Sequence, residues 1–110
     1  MTKEDVEKVL FAHPMRRVQI KNLRLEIEYC EEVNQLEEMV VLEEQLAFWE
    51  KEYEILSNKL QLLSEDDYML IKLKYFKRKR VAEIIEELGI TKWTYHKRKQ
   101  KILKWLQEIM

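Results

Sequence analysis

An all-α fold is predicted by three observations. The 110 residues contain one glycine and one proline, the two residues on which turns and hairpins draw most heavily. No stretch sustains the apolar/polar alternation of a half-buried strand. Apolar residues instead recur at spacings of three and four along most of the chain. With 46 % hydrophobic residues there is enough apolar material for a core. So short a chain buries a modest share of its surface, and self-association would be a natural supplement.

Thr2 with Asp5 three residues on resembles a capping box, so a first helix is expected from about Lys3 to Ala12. Pro14 is expected to break it and to sit in the first turn of a second helix. Ile20, Leu23, Ile27 and Cys30 then mark a buried stripe at 3-4-3 spacing. The register falters at Glu31-Glu32-Val33-Asn34-Gln35. A helical hairpin turning near Asn34 and an uninterrupted long helix both fit that stretch.

Leu42, Leu46, Trp49, Tyr53, Leu56, Leu60 and Leu63 continue at 4-3-4-3-4-3. A second row, Val41, Phe48, Ile55 and Leu62, repeats every seven residues about 100° around the helix. Two rows imply two neighbours, one of them the 15–33 helix and the other a second subunit. A bundle therefore fits better than a two-stranded coiled coil. Leu42, Leu46, Trp49, Tyr53, Leu56 and Leu60 are the expected self-association residues, giving a dimer or higher homo-oligomer.

Ser64 precedes Glu65, Asp66 and Asp67, the pattern of an N-cap with acids in the first turn. The helix that follows, through Tyr68, Met69, Leu70, Ile71, Leu73, Tyr75 and Phe76, is apolar on most sides. After the basic run Lys77-Arg78-Lys79-Arg80 comes the spacing of a helix-turn-helix. A short amphipathic helix from Val81 reaches Leu88, Gly89 can take a positive φ, Ile90 tucks back and Thr91 caps the next helix. The domain organisation expected is residues 1–62 as an acidic helical region and 63–110 as a helix-turn-helix domain.

Charge follows the same division. Residues 1–66 carry eight Lys/Arg against sixteen Asp/Glu, a balance of −8, and residues 67–110 carry twelve against five, +7. One half suits a polyanion and the other discourages indiscriminate binding. With Tyr95 facing inward, Ile102, Leu106 and Ile109 fall on the same side of the last helix, with Leu103 at its edge. That stripe would pack on Ile84, Ile85 and Leu88. Lys92, Trp93, His96, Lys97 and Gln100 are then positioned to reach base edges in the major groove of double-stranded DNA. Thr91, Lys101, Lys104 and the run Lys77, Arg78, Lys79 and Arg80 are placed for phosphates.

Plainer roles stand beside these. Trp93 equally suits packing on a loop, His96 simple exposure, and Arg98 a stem laid over the core. His13 beside Pro14 reads as structural, and Cys30 as a small buried hydrophobe. Catalysis has no support: there is no phosphate-cradling glycine loop and no metal-ligand spacing, so no enzyme, cofactor or metal is expected. A lone cysteine fits a reducing compartment. No 18-residue apolar run or signal-peptide core is present, so a soluble cytoplasmic protein without membrane contact is expected.

From Leu63 onward the chain resembles region 4 of the bacterial sigma factors, which recognises promoter DNA. The matching stretches are Leu63-Ser64-Glu65-Asp66-Asp67-Tyr68, Ile71-Lys72-Leu73-Lys74-Tyr75-Phe76, Ala82-Glu83-Ile84, Leu88-Gly89-Ile90-Thr91, and Thr94-Tyr95 with Arg98 and Lys101. It is still more similar to small phage-encoded late transcription regulators of the ArpU and RinA type. Ile85 stands where the motif usually has alanine, Arg98 where an apolar or aromatic residue is common, and Lys77–Arg80 where sigma factors often insert glycine. The resemblance implies a DNA-binding activator of phage late genes, with RNA polymerase as a further partner. Two other functions share these features: a small terminase-like packaging subunit, and a sigma-like module that docks on polymerase without touching DNA.

Overall fold

The computed structural model describes all residues 1–110 and is entirely helical, without a strand. The elements are α1 (Lys3–Glu32), α2 (Leu36–Leu60), α3 (Glu65–Ile71) running into a π-helical turn (Lys72–Phe76), α4 (Val81–Leu88) and α5 (Lys92–Ile109). No helix is long and apolar enough to cross a membrane. Two compact units are formed, one by Met1–Ala12 with Leu60–Met110 and the other by His13–Lys59. The division by sequence had grouped all of 1–62, whereas the first twelve residues lie with the C-terminal unit.

The break expected at Pro14 does not occur, because α1 continues through it. An interior proline removes one backbone donor and costs about 3 kcal/mol. Val6, Leu10, His13, Ile20 and Leu23 are all buried on the flanking turns. Burial of about 1.5–3 kcal/mol per large apolar side chain outweighs that cost. The capping box does form: Thr2 N donates to Asp5 Oδ2 at 3.0 Å and Asp5 N to Thr2 Oγ1 at 3.1 Å. The bond from Thr2 N, followed by the Thr2 side chain, holds the Asp5 carboxyl below its ordinary pKa.

The His13–Lys59 unit is a helical hairpin, and it turns where the polar cluster suggested. Asn34 adopts φ 58°, Gln35 N donates to Cys30 O at 2.9 Å, and Asn34 N to Glu31 O at 3.4 Å. This pair of bonds closes a helix with an αL residue, a conformation that asparagine tolerates better than most. The helices then run antiparallel. The rings of His13 and Tyr53 stack 4.4 Å apart, the Arg16 guanidinium lies 5.0 Å over Trp49, and Arg24 Nη2 bonds Glu50 Oε1 at 2.6 Å. Ile20, Leu23, Cys30 and Leu56 are buried, with Ile27, Leu42, Leu46, Trp49 and Tyr53 half-buried. Leu60, which falls in the other unit, is buried as well. The stripe assigned to self-association is thus largely covered within the chain itself. The exposed apolar row is the second one, Val41, Phe48 and Ile55.

In the other unit, Ser64 caps α3 by accepting from Asp67 N at 3.2 Å. Leu70, Ile71, Leu73 and Tyr75 are fully buried and form the core with Val6, Leu10, Ile84, Tyr95, Leu103 and Leu106. Residues 1–12 are tied into this unit at several points. Tyr75 Oη donates to Glu7 Oε2 at 2.9 Å, the Phe11 and Tyr75 rings meet edge to face at 4.8 Å, and Gln107 Nε2 donates to Met1 O at 2.8 Å. Drawn along the structural units, the charge contrast narrows. Met1–Ala12 with Leu60–Met110 carries fourteen basic against ten acidic residues, and His13–Lys59 carries six against eleven.

Candidate nucleic-acid interface

The turn between α4 and α5 is built by backbone geometry. Gly89 takes φ 65°, ψ 35°, closing α4 with bonds from Gly89 N to Glu86 O and from Ile90 N to Ile85 O. A Cβ at Gly89 would meet nothing within 4 Å, so conformation and not space calls for glycine. Thr91 then starts α5, its Oγ1 accepting from Thr94 N at 3.1 Å and donating to Thr94 Oγ1 at 2.9 Å. That hydroxyl is committed to the cap.

α5 is two-sided. Tyr95, Ile102, Leu103 and Leu106 are buried, while Ile109, in the last turn, is 36 % exposed. On α4, Ile84 is fully buried and Ile85 and Leu88 are half-buried. Lys92, Trp93, His96, Lys97, Gln100, Lys101 and Lys104 are all exposed. Trp93 is 69 % exposed, and its ring carries the Lys97 ammonium 4.7 Å from its centre. That contact holds a flat apolar surface and a cation together in solvent. Arg98 and Lys99 are half-buried, with the Lys99 ammonium 5.8 Å over the Tyr95 ring.

Gln100 has a partner that no spacing along the chain predicts. Lys3 Nζ donates to Gln100 Oε1 at 2.8 Å across 97 positions of chain. An ammonium is a donor only, so the amide oxygen must face it. The Gln100 amide N–H groups are left for other acceptors. No local pattern signals such a pair; its only trace is the Val6 and Leu10 spacing, which buries one side of the N-terminal helix.

The basic run divides three ways. Lys77 and Arg80 are exposed. Arg78, at φ 52°, places its guanidinium 5.2 Å over the Phe11 ring. Lys79 pairs with Glu87 at 2.9 Å, which raises the lysine pKa and lowers that of the carboxyl. Lys79 is therefore paired with an acid of its own unit, across a partly exposed contact.

Below α5 lies a buried polar cluster. Tyr75 Oη is satisfied by Glu7, and its pKa is pushed far up by burial and by that carboxylate. Tyr95 Oη is buried without a protein hydrogen-bond partner, and burial followed by the charge of Glu7 raises its pKa also. No group of side chains suits a metal ion. Comparison with protein-family models, curated proteins and solved structures returns no match for this chain.

Proposed function

We propose that the chain is a DNA-binding transcriptional regulator of phage or prophage type, in which α4 and α5 act as a helix-turn-helix and α5 enters the major groove. The observation that carries this reading is the two-sidedness of α5. Its buried side anchors it, and the other side leaves Lys92, Trp93, His96, Lys97, Gln100, Lys101 and Lys104 in solvent without an acid among them. Lys97 and Gln100 are the base-reading candidates, Gln100 as a donor because Lys3 occupies its oxygen. Lys77, Arg80, Lys101 and Lys104 are left for phosphates. Late-gene activation and a contact with RNA polymerase come from the resemblance, and the acidic His13–Lys59 unit is the part free for that contact.

The test is enrichment of sites from random duplex DNA, followed by anisotropy titration of the selected site over a salt series. Four or five phosphate contacts give a log–log slope of about −3.6 to −4.5. Replacing Lys97 and Gln100 by alanine should cut the preference over random duplex by about tenfold or more, whereas Lys77→Ala with Arg80→Ala should weaken all sequences about equally. A flat salt response, or no enrichment of any site, overturns the reading.

A further inference from the structure

The outer side of α1 carries an apolar seam that nothing in the chain covers. Ile20, Leu23, Ile27 and Cys30 face α2, and on roughly the opposite side lie Met15, Val18, Asn22, Leu25 and Tyr29. These are spaced 3-4-3-4, and the four apolar ones are between 50 and 59 % exposed. An apolar row with both positions of a heptad filled is the seam of a helix-to-helix contact. The exposed row on α2 is narrower, since Val41, Phe48 and Ile55 repeat only every seven residues, with Glu44, Gln45, Lys51 and Glu52 between them.

Charge on α1 indicates what covers the seam. Between residues 15 and 24 stand Arg16, Arg17, Lys21 and Arg24 with no acid; between 25 and 32 stand Glu26, Glu28, Glu31 and Glu32 with no base. Arg16 and Arg24 are engaged on Trp49 and Glu50, leaving Arg17 and Lys21 free. A helix whose halves carry opposite charge complements a copy of itself laid antiparallel. We infer that a second copy of this chain docks on the α1 outer seam, antiparallel about a two-fold axis.

In that register Val18 packs on Tyr29 of the second copy and Asn22 on Leu25, each twice by symmetry. Lys21 lies opposite Glu28, again twice. The parallel arrangement sets basic half beside basic half and acidic beside acidic. Asn22, the one polar residue in the seam, favours one register at some cost in stability. This interface is independent of what α5 binds, and it uses none of the residues first assigned to self-association.

Sedimentation equilibrium of the full chain tests it. The chain should sediment as a dimer. Leu25→Asp should raise its dissociation constant by about 100-fold or more, because it puts a carboxylate at the centre of the seam. Lys21→Glu and Glu28→Lys should each weaken it by about tenfold, and the double variant should return to within about threefold of the parent. These side chains are exposed, so circular dichroism should show unchanged helix content. A monomer at every concentration overturns the inference. A dimer indifferent to Leu25→Asp does so too, and would move the interface to Val41, Phe48 and Ile55. Failure of the charge exchange to restore association rules out the antiparallel register.

Discussion

At the scale of single residues, the two buried tyrosines offer a matched pair. Tyr75 donates a hydrogen bond from its hydroxyl to Glu7, and Tyr95 has no protein hydrogen-bond partner. Tyr75→Phe deletes a made hydrogen bond and should lower stability by about 1 kcal/mol or more, since the Glu7 carboxylate loses its donor. Tyr95→Phe removes an uncompensated buried polar atom and should leave stability unchanged or raise it by up to about 1 kcal/mol. Denaturant unfolding of both variants decides the matter, and equal losses would contradict it. His13 makes a pH prediction. It is buried, its Nε2 is 3.2 Å from Ser57 Oγ, and burial lowers its pKa from the ordinary 6.5. The unfolded chain therefore takes up a proton first as pH falls below about 6.5, and stability is lost down to the folded pKa. Above 6.5 the contribution is complete. His13→Gln should lose less melting temperature between pH 7.5 and 5.5 than the parent; an equal loss would assign the acid sensitivity elsewhere.

At the scale of elements, the α4–α5 turn was the most legible part of the chain. Only glycine adopts φ 65° without strain, Thr91 is a strong N-cap type, and their spacing fixes where one helix stops and the next starts. Because a Cβ at Gly89 meets open space, the penalty for Gly89→Ala should be purely conformational, about 1–2 kcal/mol. Gly89→Asn should lose less than that, as asparagine tolerates the left-handed region. Thermal unfolding that ranks Asn below Ala would point to a steric cause instead. The Ser64 cap was legible for the same local reason, whereas the turn at Asn34 was one of two alternatives that the sequence left open. Pro14 was not, because a proline's local cost is visible in sequence while the burial on both sides that overrides it is not. The π-helical turn Lys72–Phe76 left no sequence signal either; its Lys77 N to Lys72 O bond is a small shift of register within an apolar stretch.

At the scale of the whole molecule, helical character is legible in the sequence and long-range partnership is not. That the chain is helical throughout follows from periodicity, and the exposed set on α5 follows from placing Tyr95 inward. The choice between the two apolar rows of α2 could not be made locally, since either row alone could face α1. Lys3 with Gln100, Glu7 with Tyr75 and Met1 with Gln107 are separated by 97, 68 and 106 positions, beyond the reach of any helical spacing. Grouped by structural unit, the charge contrast narrows from −8 against +7 to −5 against +4. Glu65 and Asp66 account for most of that change, and Met1–Ala12, with three acids against two bases, for the rest.

Those distant pairings have a temporal consequence. The hairpin joins stretches that leave the ribosome close together, so it can assemble while the rest is still being translated. Met1–Ala12, made before the hairpin, must wait for the stretch from Leu60 on, made after it, before Val6 and Leu10 find cover. Closing so long a loop is slow beside a hairpin's zipping, and during that interval the Met1–Ala12 stretch presents bare apolar surface to chaperones.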